Sequence, residues 1–266
     1  FAGLGWWGKQ IVSCLSKSRR FEVLYGIDPK PPADVEDFRK TYPFKLSTDL
    51  GVALADPAVE GIVLATPHVL HEEQSLQVIA AGKNLFCEKP LAMSGAGARL
   101  IVEACKRAGK VLGIGHERRW EPAFEELQRM IDAGALGRIL AFEANVSHDQ
   151  FRRLAPDNWR LSTTSAPAGM MTAVGIHLTD LMIHLAGPAA EVRARSASLI
   201  FTPPAQDFVT ASIDFKSGVR ATYTSLSSTP FYARFVAFGD AGWVEITSEA
   251  NVDRGKPTVL TVSDAD

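Results

Sequence analysis

The chain has 266 residues, of which 46% are hydrophobic and 22% charged, so it is long enough for two compact domains and is neither disordered nor fibrous. A formal net charge of -2 gives no broad basic field, which predicts a small-molecule partner, with no nucleic acid and no membrane. Three scattered cysteines exclude a disulfide framework and favour the reducing cytoplasm.

The first predicted element is a glycine-rich turn that opens a helix. In GLGWWG, Gly3, Gly5 and Gly8 match G-x-G-x-x-G, which permits a tight turn, close approach to a pyrophosphate and close helix packing. Asp28 ends the strand-like FEVLYGID, where a carboxylate can bind ribose hydroxyls and repel a 2′-phosphate. NAD is therefore the predicted cofactor, with NADP as the alternative because Lys30 lies nearby. The alternative without a cofactor is an ordinary tight turn, with Asp28 as a turn former before Pro29.

The next strand-like run is GIVLATP, which ends before a predicted helix start near His68. Because ligands bind at the carboxyl ends of parallel strands, we expect Thr66 and Pro67 to lie along the cofactor. His68 and His71 are interpreted as a solvated helix start. No metal site is predicted, since no further cysteine or carboxylate cluster accompanies the two histidines.

A charged pair, Glu88 and Lys89, directly follows the apolar strand-like NLFC. Charged residues are rarely placed at a buried strand end for packing alone, so this pair indicates chemistry. A surface ion pair before a turn is the alternative. The strand-like KVLGIGH then completes the predicted doubly wound parallel sheet.

After His116 the pattern changes to a helix, EPAFEELQRMIDAG, followed by runs that alternate apolar and polar residues, as half-buried antiparallel strands do. These runs are RILAFEANVS, EVRARSASLIF, DFVTASIDF, VRATYTSLSS, FYARFVAFG and WVEITSE. We predict a Rossmann dinucleotide-binding domain over residues 1–117 and an α+β substrate and oligomerisation domain over residues 118–266. Two residues alone precede the glycine motif, so we expect the natural start to be missing.

The ordered motifs resemble one family, the glucose-fructose oxidoreductase, inositol dehydrogenase and rhizopine-catabolism family (Gfo/Idh/MocA), from Gly3 to about Gly187. They are GLGWWG, ATPHVLH, AGKNLFCEKPLA, GHERRWEPAF, GALGRI and GIHLTD. The resemblance implies a nicotinamide-binding domain followed by a large open, mainly antiparallel sheet, and a homodimer or homotetramer. Chains of this family usually continue further, so the C-terminus is also expected to be incomplete.

The resemblance also implies roles for the polar residues. In the family, the Lys of EKP lies beside the nicotinamide and the Pro is commonly cis, so Lys89 is the predicted proton-exchanging residue and Glu88 orients it or contacts the cofactor. The segment MMTAVGIHLTD is similar to D-x-x-x-H, which makes His177 the predicted acceptor of the substrate hydroxyl proton. A histidine on a partly buried helix face is the alternative.

Ala173 occupies the position of the usual aspartate. Thr172 or Asp180 could partly replace it, and otherwise the proton route runs through Lys89 or catalysis is lost. Trp159 and Arg160 resemble a segment that runs beside the cofactor and substrate in family members, and Arg119 lies just past the strand-like KVLGIG. The alternative is that these residues pack between domains. Each is predicted to contact the cofactor.

The predicted function is a cytoplasmic NAD(P)-dependent dehydrogenase or reductase that moves a hydride between nicotinamide and a carbinol carbon of a sugar, inositol or related polyol. One alternative is an NAD-dependent glycoside hydrolase, which oxidises its substrate transiently to eliminate a glycosidic group. Another, motivated by Ala173, is a non-catalytic NAD-binding sensor.

Overall fold

The structure is a computed structural model that describes residues 1–251 and 254–264. The chain divides into two compact units, Phe1–Gly115 and His116–Asp266. Each unit has its own hydrophobic core. Within the described residues, the helices are all too short or too polar to cross a membrane.

The first unit alternates short parallel strands with helices. Its helices are α1 Trp6–Leu15, α2 Val35–Thr41, α3 Leu50–Ala55, α4 His71–Ala80 and α5 Gly95–Ala108, and its strands are β1 Tyr25–Ile27, β2 Lys45–Ser47, β3 Gly61–Leu64, β4 Asn84–Cys87 and β5 Leu112–Ile114. β1 pairs with β2, and β4 lies between β3 and β5, all in parallel.

Ala2 joins these two groups of strands into one sheet. It forms parallel bridges to Ile27 of β1 and Leu64 of β3, and its N–H donates to the Val63 carbonyl at 2.8 Å. The strand order is therefore β2, β1, Ala2, β3, β4, β5, so the connections step outward in both directions from Ala2. The predicted doubly wound parallel sheet is confirmed. The glycine turn directly follows Ala2 and therefore lies at the carboxyl end of the parallel strands, where ligands bind.

The second unit is built on a seven-stranded sheet. Its helices are α6 Pro122–Asp132 and α7 Ile176–Ala186, and its strands are β6 Ile139–Ser147, β7 Ala189–Ala197, β8 Phe208–Phe215, β9 Arg220–Leu226, β10 Tyr232–Gly239, β11 Gly242–Ser248 and β12 Thr258–Asp264. The order is β12, β11, β10, β6, β9, β8, β7. Every pair is antiparallel except β6 and β9, so the predicted mainly antiparallel sheet is confirmed.

One face of this sheet carries the core of the second unit. Phe124 of α6 meets the ring of Phe235 of β10 edge-on, with ring centroids 5.5 Å apart. Leu178 and Leu181 of α7 are fully buried in the same cluster, where each contributes on the order of 1.5–3 kcal/mol. This packing fixes α7, and with it His177, against the sheet.

His148, just after β6, predicts a pH-dependent stability. Its ring is 8% exposed, and its Nδ1 accepts a hydrogen bond from the Gln150 N–H at 3.3 Å. Burial lowers the pKa of His148 below its ordinary 6.5. The unfolded chain therefore binds more protons below that pH, so the free energy of unfolding should fall as the pH drops from about 7 to 5.

The measurement is urea unfolding across this pH range. His148→Gln should flatten the dependence of the unfolding free energy on pH, because its side chain does not titrate. His184→Gln, at an exposed position of α7, serves as the control and should keep the wild-type slope. Equal slopes in wild type and His148→Gln would contradict the prediction.

Candidate functional site

The glycine turn at the start of α1 is shaped by two backbone contacts. Gly3 has φ +92°, and a Cβ there would lie 2.4 Å from the Ala65 carbonyl oxygen. A Cβ on Gly8 would lie 1.9 Å from the Gly3 carbonyl oxygen. An added Cβ on Gly5, by contrast, has nothing within 4 Å. Packing thus requires glycine at positions 3 and 8, while Gly5 leaves open space before the N-terminus of α1. Backbone N–H groups at a helix N-terminus favour a phosphate.

Asp28 holds this turn in place as well as lying beside it. Its Oδ2 accepts from the Leu4 N–H and its Oδ1 from the Lys30 N–H, both at 2.9 Å. Each carboxylate oxygen has a second acceptor site, so the contacts are compatible with binding a ribose hydroxyl. The contact with Leu4 connects the end of β1 to the glycine turn and is not specified by the glycine motif.

His71 connects the ends of two neighbouring strands. It is fully buried, with Nε2 2.9 Å from the Thr66 carbonyl oxygen and Nδ1 2.7 Å from that of Pro90. Burial is the largest influence on the pKa of His71 and lowers it, although both carbonyls favour the protonated ring. The interpretation of His71 as part of a solvated helix start is wrong, because the residue packs inward and bridges the segments after β3 and β4.

The Thr66 and Pro67 segment follows β3 as predicted. Thr66 donates from Oγ1 to Gln74 Oε1 of α4 at 2.6 Å, and Pro67 is exposed before a short 3-10 turn, His68–Leu70. Together with the His71 contact, these bonds fix the backbone at the carboxyl end of β3.

Glu88 and Lys89 directly follow β4. Glu88 is only 7% exposed, so its carboxylate is buried and does not lie on the surface of the first unit. Its carboxylate occupies the space above Gly115, where an added Cβ would lie 2.6 Å from the carboxylate oxygens. Lys89 is half-buried, and the bond from Lys89 to Pro90 is cis, as the resemblance implies. The positive charge of Lys89 contributes to lowering the pKa of His71.

In the second unit, His177 lies in the first turn of α7 and is 6% exposed. Its Nδ1 is 3.5 Å from Oε2 of Glu117, and its ring lies edge-on to that of His116 with centroids 5.8 Å apart. The preceding turn, Met171–Gly175, is a π-helix and contains Ala173; such turns are frequent at functional sites. His177 is therefore one member of a polar cluster on the second unit.

Arg119 and Asp180 form the other part of this cluster. The Arg119 guanidinium donates from Nη2 to Oδ1 at 2.6 Å and from Nε to Oδ2 at 2.7 Å, and this pairing raises the pKa of Arg119. His116 Nδ1 is 3.7 Å from the same carboxylate. Thr172 donates instead to the Pro167 carbonyl at 2.5 Å. Both predicted substitutes for the missing aspartate thus have partners other than His177.

Trp159 and Arg160 lie in a short 3-10 turn, Trp159–Leu161, of the long segment before α7. The Arg160 guanidinium stacks on the neighbouring Trp159 ring, 4.3 Å from its centroid. Such stacking fixes a planar cation on an aromatic surface. Both cofactor roles remain predictions for this pair, as does that of Arg119.

Two family models match the chain. Residues 1–116 match the oxidoreductase family with an NAD-binding Rossmann fold, and residues 124–245 match the GFO/IDH/MocA C-terminal domain. The chain belongs to the GFO/IDH/MocA family. A curated relative, 1,5-anhydro-D-fructose reductase of Ensifer adhaerens, is 32% identical over 189 residues, 70% of this chain and 56% of that protein. The chain spans about half the length of the curated relatives it matches.

Solved GFO/IDH/MocA structures share this architecture. GenD2 from gentamicin A biosynthesis, in complex with NAD, is 27% identical with a TM-score of 0.84, over 92% of this chain and 70% of that chain. Levoglucosan dehydrogenase, in complex with NADH and levoglucosan, has a TM-score of 0.84 at 24% identity, over 98% of this chain and 79% of that chain. The family resemblance and the fold predicted from the sequence are confirmed.

Proposed function

We propose that this GFO/IDH/MocA protein is an NAD(P)-dependent oxidoreductase that moves a hydride between nicotinamide and a carbinol carbon of a sugar, inositol or related polyol. The observation that carries the proposal is that Glu88, Lys89 and Pro90 follow the carboxyl end of β4, in a Rossmann unit of this family. Relatives named 1,5-anhydro-D-fructose reductase and levoglucosan dehydrogenase support a sugar-like substrate.

The first unit supplies the groups that would hold the dinucleotide. Gly5 leaves room for a pyrophosphate at the start of α1, while Gly3 and Gly8 permit the tight turn beside it. The Asp28 carboxylate suits the ribose hydroxyls of NAD better than the 2′-phosphate of NADP. Thr66, Pro67 and Glu88 would contact its nicotinamide half. The bound nicotinamide donates or accepts the hydride.

The proposed protein chemistry is proton transfer and orientation. The Lys89 ammonium hydrogen-bonds the substrate oxygen, and His177 accepts the hydroxyl proton when the alcohol is oxidised. Trp159 offers an aromatic face to a sugar ring, while Arg160 and Arg119 are further contacts for substrate or cofactor. This assigns cofactor binding to residues 1–117 and substrate binding to residues 118–266.

We further propose a homodimer or homotetramer in the cytoplasm. The large sheet carries exposed apolar side chains, among them Leu140, Val192 and Val259, which contact with a second copy would bury. All three cysteines are free, as in a reducing compartment. Light scattering of the purified protein would give the oligomer mass, and a monomer at micromolar concentration would contradict the assembly.

The test of the function is NAD and NADP reduction, followed by nicotinamide absorbance, against a panel of sugars, inositols and sugar acids. A signal that disappears in Lys89→Met would support the dehydrogenase and identify its substrate class. Cleavage of a chromogenic glycoside without net NADH would indicate the hydrolase. Intact NADH binding with no turnover, even in Ala173→Asp, would indicate the sensor.

The Asp28 carboxylate should set the cofactor preference. In Asp28→Asn, the ratio of the NADPH to the NADH dissociation constant should fall about tenfold, because a repulsion on the order of 1.4 kcal/mol with the 2′-phosphate is removed. Asp37→Asn, in the exposed ion pair with Lys40 on α2, should keep the wild-type ratio. Tighter binding of NADPH than NADH to the wild type would contradict the role of Asp28.

A further inference from the structure

The polar cluster around His177 contains a carboxylate that the motif comparison does not assign. Glu117 lies in the short 3-10 turn Glu117–Trp120 that follows the first unit. Its Oε2 and the Nδ1 of His177 are 3.5 Å apart, and both atoms are inaccessible to solvent. The Glu117 side chain as a whole is 35% exposed. Part of the side chain therefore faces solvent while Oε2 faces the His177 ring.

We propose that Glu117 is the positioning residue of His177 and replaces the carboxylate that Ala173 lacks. A carboxylate facing Nδ1 favours the tautomer with its proton on Nδ1, so Nε2 carries the lone pair that can accept a hydroxyl proton. The same negative charge stabilises the imidazolium that forms when the proton arrives. This inference rests on the proposed function.

The alternatives within the cluster are engaged elsewhere. Both oxygens of Asp180 accept from Arg119, and Thr172 donates to the Pro167 carbonyl. Ala173, one helical turn before His177, packs its methyl group against the core of the second unit. Glu117, by contrast, contacts the His177 ring itself.

The charges around His177 define what a pH titration will report. Glu117 and His116 face its ring, and the Arg119 and Asp180 pair lies behind His116. The positive guanidinium and the Asp180 carboxylate offset one another at close range. Glu117 places a negative charge 3.5 Å from Nδ1 of the ring, so its removal should change the titration of His177.

The experiment compares wild type with Glu117→Gln, which keeps the shape of the side chain and removes its charge. Ring resonances of His177, assigned by their loss in His177→Asn, are followed by NMR as the pH is varied. We expect the titration midpoint to fall by about one pH unit. Turnover should fall about 10- to 100-fold with little change in KM, since the base is misdirected and not removed.

Two further variants separate positioning from folding. Glu117→Asp keeps the negative charge, so the titration midpoint of His177 should stay close to its wild-type value. Adding Ala173→Asp to Glu117→Gln supplies a carboxylate one helical turn from His177, and should restore both the midpoint and a large part of the turnover. Glu125→Gln, an exposed carboxylate of α6, is the matched control and should behave as wild type.

The two proposals fail in distinguishable ways. An unchanged His177 midpoint in folded Glu117→Gln would overturn the role of Glu117, even in an active enzyme. A shifted midpoint in a protein that turns over no polyol would support Glu117 as the partner of His177 and would count against the dehydrogenase.

Discussion

Gly8→Ala is expected to weaken NADH binding about 100-fold and to destabilise the first unit. The added methyl group would lie 1.9 Å from the Gly3 carbonyl oxygen, which is closer than any ordinary contact. That oxygen belongs to the backbone, so it cannot rotate away as the end of a flexible side chain can. The position of Gly3 is itself constrained, because its N–H donates to the Ile27 carbonyl at 2.8 Å and its Cα packs closely against the Ala65 carbonyl. The turn must therefore shift, and overpacking of this kind costs about 1–3 kcal/mol.

The loss of binding follows from the same shift. A dinucleotide pyrophosphate is held by backbone N–H groups whose positions the turn fixes, so their displacement removes several hydrogen bonds together. NADH titration followed by fluorescence measures the dissociation constant, and thermal unfolding measures the destabilisation. Gly8→Ala with the wild-type NADH affinity would show that this turn is not the cofactor site.

Gly5→Ala provides a matched comparison in the same turn. No atom lies within 4 Å of its added Cβ, so the free energy of unfolding should change by less than about 0.5 kcal/mol. Its NADH affinity should nevertheless fall, because the methyl group fills the space into which the pyrophosphate would come. A stable Gly5→Ala protein with weak binding would separate the packing role of Gly8 from the ligand role of Gly5.

Much of the first unit could be predicted because its signals are local. The glycine turn, the apolar strand runs and Asp28 at the end of β1 depend on residues close together in sequence. β2 was missed because Lys45–Ser47 contains only one apolar residue, and it becomes a strand by pairing with β1. β12, an edge strand, was missed because its exposed Val259 and Val262 break the apolar alternation.

The polar site was predictable where a motif specifies a residue and unpredictable where the fold supplies a partner. Lys89 and His177 came from family motifs. Glu117 and His177 are separated by 60 positions, so no periodicity connects them, and their contact depends on the turn after β5 meeting α7. The inward position of His71 was likewise not predictable from local sequence, because one of its two carbonyl partners, Pro90, lies on another segment.

Lys89→Met is expected to lower turnover about 10²- to 10⁴-fold while NADH binding changes little. Methionine keeps the unbranched length of the side chain but removes the ammonium, so substrate orientation and proton exchange are lost together. The fold should tolerate the change because Lys89 is half-buried and follows β4 without belonging to it. Steady-state kinetics and NADH titration on the same preparation would measure the two effects.

Lys89→Arg tests which property of the lysine matters. Arginine keeps the positive charge but does not release its proton, so it should restore substrate binding better than turnover. Lys106→Met, in the exposed ion pair with Glu103 on α5, is the control and should match wild type. If Lys89→Met lost NADH affinity as severely as turnover, Lys89 would be a cofactor ligand. If it kept full turnover, the ammonium would not be needed for catalysis, and His177 would be left as the proposed residue for proton transfer.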